Sequence, residues 1–159
     1  MDFYLRGALL VVLLGVRVFA QSPLVNPDFE QGQPGERPFG WLFGFGPHTL
    51  SYSALTVTDS CNSGKQCAMT KSNELIPAGS HSFLYQYVDA KPYRGMNFRF
   101  RAAARTKVSG LPDGAGLLVR IHRVSGESCF FNNMSDRRIA SEDWAFYEIT
   151  GRFVRMPPI

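Results

Sequence analysis

Only three histidines, three cysteines and two tryptophans occur in 159 residues, and their placement excludes several chemistries. There is no Cys-x-x-Cys pair and no Cys/His cluster at zinc spacing, which argues against a metal–thiolate site. The chain has no Gly-x-Ser-x-Gly elbow for a serine hydrolase. Nor does it have a glycine-rich phosphate cradle or a Lys/Arg run of the kind that marks nucleic-acid binding. Glycoside hydrolysis needs two carboxylates facing across a cleft. Asp113, Asp136, Glu142 and Asp143 fall in loops or turns and suggest no such pair. Beyond residue 21 no segment carries a convincing amphipathic-helix pattern. The reading is a non-catalytic chain with no cofactor and no nucleic-acid partner.

The N-terminus does carry a pattern. Arg6 precedes an apolar run from Ala8 to Val16, and Val18 and Ala20 occupy the small-residue positions of a leader cleavage site. Nine apolar residues fall well short of the roughly 20 that a permanent bilayer span needs. The expectation is a signal-peptide helix over residues 1–20, cleavage near Ala20, export, and one domain over residues 21–159. Without Asp2, Arg6 and Arg17 the remainder holds 15 basic and 12 acidic residues. These are uneven: residues 94–159 hold 11 basic against 6 acidic. A basic half can attract polyanions, although arginines at alternate strand positions ordinarily form a solvated face. In an oxidising compartment Cys61 and Cys67 could bridge the Asn62–Gln66 loop, leaving Cys129 as a buried thiol beside Phe130 and Phe131.

Glycine and proline are scattered as punctuation between short apolar runs, which favours an all-β fold. A first strand is read near residues 24–30, before a Gly/Pro-rich loop from Gln31 to Phe39. Extended segments are expected over Thr49–Thr58 and Lys65–Thr70. Phe83, Tyr85 and Tyr87 recur at a period of two within His81–Val88. Phe98 and Phe100 should face inward while Arg99 and Arg101 face out. Val119 and Ile121 should share one face, with Arg120 and His122 on the other. Cys129–Phe131 and Trp144–Val154 complete about eight strands. Turns are read at Pro92–Gly95 and Leu111–Gly114, and Asn132–Ser141 is polar and irregular. Trp144 reads as a core plug, while His48 and His81 read as exposed. Asn133-Met-Ser135 also fits a glycosylation acceptor. The predicted architecture is a two-layer antiparallel β-sandwich.

Asn26-Pro-Asp-Phe-Glu30 with Gly40-Trp41 resembles the opening of galactose-binding-like jelly rolls, including carbohydrate-binding modules. Five later features are similar to the accessory module preceding exported bacterial tail-specific serine peptidases. They are Tyr85-Gln86, Pro92-Tyr-Arg-Gly95, Leu118-Val-Arg-Ile121, Asn133–Arg137, and Asp143-Trp144 with Tyr147-Glu148. The resemblance covers roughly residues 24–156. Relatives continue past Gly151–Val154 into another hairpin with an acidic last strand. It therefore implies a jelly-roll β-sandwich lacking its final strand, with a strand-completing partner as one consequence. The alternative is a truncated remnant of a serine peptidase with no independent activity. Glu30 matches one carboxylate of a structural calcium site whose second carboxylate has no counterpart, so calcium is not expected. A glycan or a protein surface is the expected partner. The candidate ligand contacts are Tyr85, Tyr87, Arg99, Arg101, Arg120 and His122.

Overall fold

The structure is a computed structural model that describes residues 24–44, 46, 49–73, 77, 79–107 and 114–153. The leader, His48, Leu111–Asp113 of the expected turn and the residues from Val154 onward lie outside the described residues. Among the described residues there are eight strands: β1 (Leu42–Gly44), β2 (Tyr52–Val57), β3 (Cys67–Ser72), β4 (Phe83–Tyr85), β5 (Asn97–Ala104), β6 (Val119–His122), β7 (Ser128–Asn132) and β8 (Ala145–Arg152). They form four antiparallel pairs, β1–β4, β2–β3, β5–β8 and β6–β7. The fold is all-β. Among the described residues, helix is confined to two three-residue 3-10 turns, Thr49–Ser51 and Lys91–Tyr93. No described helix is long and apolar enough to cross a membrane.

The longest pair shows most directly how sequence becomes structure. On β5 the apolar Phe98, Phe100, Ala102 and Ala104 alternate with exposed Asn97, Arg99 and Arg101. Successive side chains of a strand point to opposite faces, so this alternation puts the phenylalanines inside. Phe100 lies opposite Ile149 and Ala102 opposite Tyr147 across the ladder. Ile149 is 0% exposed and, with Met134 and Ile139, forms the core. Phe98, Leu117, Val119, Phe130 and Tyr147 pack around it. Phe98 meets Phe130 edge-on at 5.2 Å and Phe153 at 5.1 Å. A Cβ on Gly151 would lie 2.6 Å from the Phe98 ring and 2.7 Å from Phe130, so only glycine fits under the two rings. β6 and β7 form a hairpin whose register skips Cys129 between Ile121↔Phe130 and His122↔Ser128. That bulge leaves Cys129 half-buried, its thiol donating to the Ile121 carbonyl at 3.5 Å.

Several segments differ from the sequence expectation. Residues 24–30 are bends and turns, not a strand. Asn26 and Phe29 adopt positive φ (49° and 62°), which no run of strand tolerates. The strand on that side is β1, starting at Leu42. The expected His81–Val88 strand contracts to Phe83–Tyr85, because β1 supplies only three pairing residues, Leu42↔Tyr85 to Gly44↔Phe83. The Asn132–Ser141 segment is irregular, yet it supplies Met134 and Ile139 to the core. Two successive Asx turns shape the chain at Met134, with Asn132 Oδ1 accepting from Met134 N and Asn133 Oδ1 from Ser135 N, and an antiparallel bridge to Ala115 holds Ile139. Trp144 is half-buried and hydrogen-bonded, not a plug within the apolar core.

Candidate functional site

The N-terminal segment is organised around one buried amide. Asn26 is 2% exposed. Its Nδ2 donates to the Gln31 and Phe39 carbonyls at 3.1 and 3.0 Å, and its Oδ1 accepts from Gln31 N at 3.0 Å. The Trp41 indole donates to the Asn26 carbonyl at 3.0 Å. This knot holds Trp41 against Phe29, with ring centroids 5.0 Å apart, and turns residues 36–42 into the wall of an open depression of about 450 Å³. Gln86 fastens the segment to β4. Its side-chain amide accepts from Val25 N at 3.0 Å and donates to Val25 O at 2.6 Å, imitating a strand backbone.

That depression runs into an aromatic strip. Leu42, on its wall, lies directly opposite Tyr85 in the β1–β4 ladder, and residues so paired share a sheet face. Tyr85 contacts Tyr87 edge-on at 5.5 Å. Tyr87 is 83% exposed, and Phe39, Leu42 and Val25 are exposed as well. Exposed apolar patches are frequent at interaction sites of proteins in general. Glu36 and Arg37 supply charge on the same wall. Phe39, Leu42 and Val25 were missed by sequence reasoning, because Phe39 ends a Gly/Pro-rich loop that reads as a connector and Val25 falls in a segment read as a strand. No periodicity in the sequence marks these three as exposed.

The other candidates lie elsewhere. Arg99 and Arg101 sit on β5 and Arg120 and His122 on β6, while Tyr85 ends β4 and Tyr87 lies two residues beyond it, so the six candidates fall on three separate parts of the fold. Arg101 lies over the Phe146 ring at 3.7 Å and Arg120 over Phe131 at 5.8 Å. His122 Nδ1 is 3.1 Å from the Gly126 carbonyl of its own hairpin, and His81 Nδ1 is likewise 3.1 Å from the Gly79 carbonyl. Neither histidine contacts a nucleophile or a carboxylate among the described residues.

Glu30 has a structural partner. Its Oε1 accepts from Lys65 N at 2.8 Å and Gln66 N at 3.0 Å, backbone amides of the loop that the Cys61–Cys67 disulfide closes. Gly64, at φ +70°, lies so close beneath that carboxylate that a Cβ would collide with Oε1. The opposite side of the loop is held by Trp144, whose indole donates to the Ser60 carbonyl at 2.9 Å. Arg105 lies 5.1 Å over the Trp144 ring. Among the described residues no group of three or more His, Cys, Asp or Glu side chains could hold a metal ion. No family model, curated protein or solved structure matches the chain.

Proposed function

We propose that this chain is an exported, non-catalytic β-sandwich module of the jelly-roll type, and that its work is to hold a carbohydrate surface. The observation that carries this reading is the strip formed by Tyr87, Tyr85, Leu42 and Phe39 beside the depression walled by residues 36–42. Flat aromatic faces stack on the C–H faces of pyranose rings. Charged groups such as Glu36 and Arg37 then fix hydroxyls at the rim, the usual division of labour in a ligand site. Four antiparallel strand pairs support the sandwich, and the leader-like pattern before Pro23 supports export.

A glycan array followed by pull-down on insoluble polysaccharides tests the reading. Retention on at least one polymer is expected, with Tyr87→Ala weakening it about tenfold, the loss of one well-made stacking contact. The melting temperature should stay unchanged, because Tyr87 is almost fully solvated. No retention on any polymer, or retention indifferent to Tyr87, removes the proposal.

A further inference from the structure

The outward face of β5–β8 is a second surface, and its chemistry differs from that of the aromatic strip. Across this ladder Asn97 faces Arg152, Arg99 faces Thr150, Arg101 faces Glu148 and Ala103 faces Phe146. All of these except Ala103 are exposed. Three guanidinium groups therefore share one face with one carboxylate. Alternate residues of a strand stand about 7 Å apart, so Arg99 and Arg101 form a short charged row.

Among the described residues neither of these two arginines makes an ion pair. Arg101 has a carboxylate directly opposite, yet its guanidinium lies 3.7 Å over the 58%-exposed Phe146 ring. Stacking fixes the guanidinium plane and leaves its N–H edge open. Arg152 commits only its Nε, which donates to the Gly95 carbonyl at 3.2 Å. By contrast Arg123 and Arg137 elsewhere are paired to Glu127 and Asp136. The same construction recurs on the neighbouring hairpin, where Arg120 lies over the 55%-exposed Phe131.

We infer that this face binds a carboxylate-bearing polysaccharide. Planar guanidinium forks match carboxylates bidentately, and Phe146 offers a flat surface beside the charged row. Glu148, Thr150 and Asn97 lie between the arginines as acceptors for sugar hydroxyls. DNA has no hydroxyls along its backbone to offer Glu148, Thr150 and Asn97, whereas a polysaccharide has several on every ring. The inference rests on the reading of the chain as a glycan-binding module, but on residues that the aromatic strip does not use.

Fluorescence anisotropy of a labelled oligogalacturonate with the full chain tests it. Competitors are a neutral oligosaccharide of equal length, a sulfated one and a single-stranded oligonucleotide. Saturable binding that weakens with added salt is expected. Arg99→Gln and Arg101→Gln should each weaken it about tenfold, the loss of one charge-assisted contact. Phe146→Ala should have a smaller effect, and Tyr87→Ala none. Absence of binding, or binding unchanged by both arginine substitutions, overturns the inference. So does equal competition by the oligonucleotide or the sulfated sugar, which would mark a general polyanion surface. Loss on Tyr87→Ala alone also overturns it, while leaving the aromatic strip standing. Failure of the strip on neutral glycans, with the arginine dependence intact, leaves this inference standing in turn.

Discussion

The region built from β5 to β8 and the region built from residues 24 to 86 are held together by different physics. The first buries Ile149, Met134 and Ile139 under a ring of aromatics and aliphatics. The second has little apolar interior among the described residues; its buried residues include Asn26, Thr56, Ala54 and Pro38. There the organising contacts are the Asn26 amide knot, the Glu30 seat under the disulfide loop and the Gln86 clamp on Val25. An apolar core is non-directional and tolerates sliding, whereas an amide knot works in one geometry. The comparison teaches why the loop of residues 36–42 can carry a wall of exposed apolar side chains. Its backbone is fixed from beneath by hydrogen bonds, so its side chains are free to face a ligand.

The comparison can be broken most sharply in the apolar region. Ile149→Ala should cost about 2–5 kcal/mol, the usual range for emptying a fully buried aliphatic site, and urea unfolding measures it. A cost under about 1 kcal/mol would mean that this core is not the main source of stability. Asn26→Ala should cost about 2–3 kcal/mol, because three part-buried hydrogen bonds to the Gln31 and Phe39 backbone are lost. Amide exchange at Gln31 should accelerate while β8 stays protected. Equal acceleration in β8 would show that the two regions unfold together.

Reduction of Cys61–Cys67 should remove about 2 kcal/mol by reopening a short loop. The change should appear as faster exchange at Lys65 and Gln66, whose amides rest on Glu30. Trp144→Phe removes the hydrogen bond to Ser60 that joins the β8 approach to that loop, and should cost about 1 kcal/mol. Phe146→Ala should change stability by only about 0.5 kcal/mol, since exposed cation–π pairs contribute little. A large effect there would make Arg101–Phe146 a structural pair and weaken its case as a ligand surface.

Much of the strand content was legible because strand alternation is local. Phe98-Arg-Phe-Arg101 and Val119-Arg-Ile-His122 declare their inner and outer faces within four residues, and the structure has them so. The Cys61–Cys67 link was legible for the same reason, with Cα atoms 5.6 Å apart across a six-residue separation. Residues 24–30 misled because Asn26-Pro-Asp-Phe-Glu30 has the composition of a strand entrance but the positive-φ backbone of a knotted turn. Met134 and Ile139 were invisible as core because polar neighbours surround them and no periodicity marks an irregular segment. The six candidate contacts could not be sorted into separate surfaces, since alternation gives a face within a strand but not the strand's partner.

Residue order alone determined the all-β character, the inward and outward sets of β5 and β6, and the chemistry of each exposed side chain. Those properties follow from a two-residue repeat and from side-chain identity, both contained within a few positions. Only the tertiary structure decided that β5 pairs with β8 and β1 with β4, and that Arg101 stacks on Phe146 in preference to Glu148. It also decided that Glu30 serves as the seat of a disulfide loop. Each of these choices joins residues some 35 to 55 positions apart, where the total packing and hydrogen bonding of the folded chain, not local preference, selects the partner.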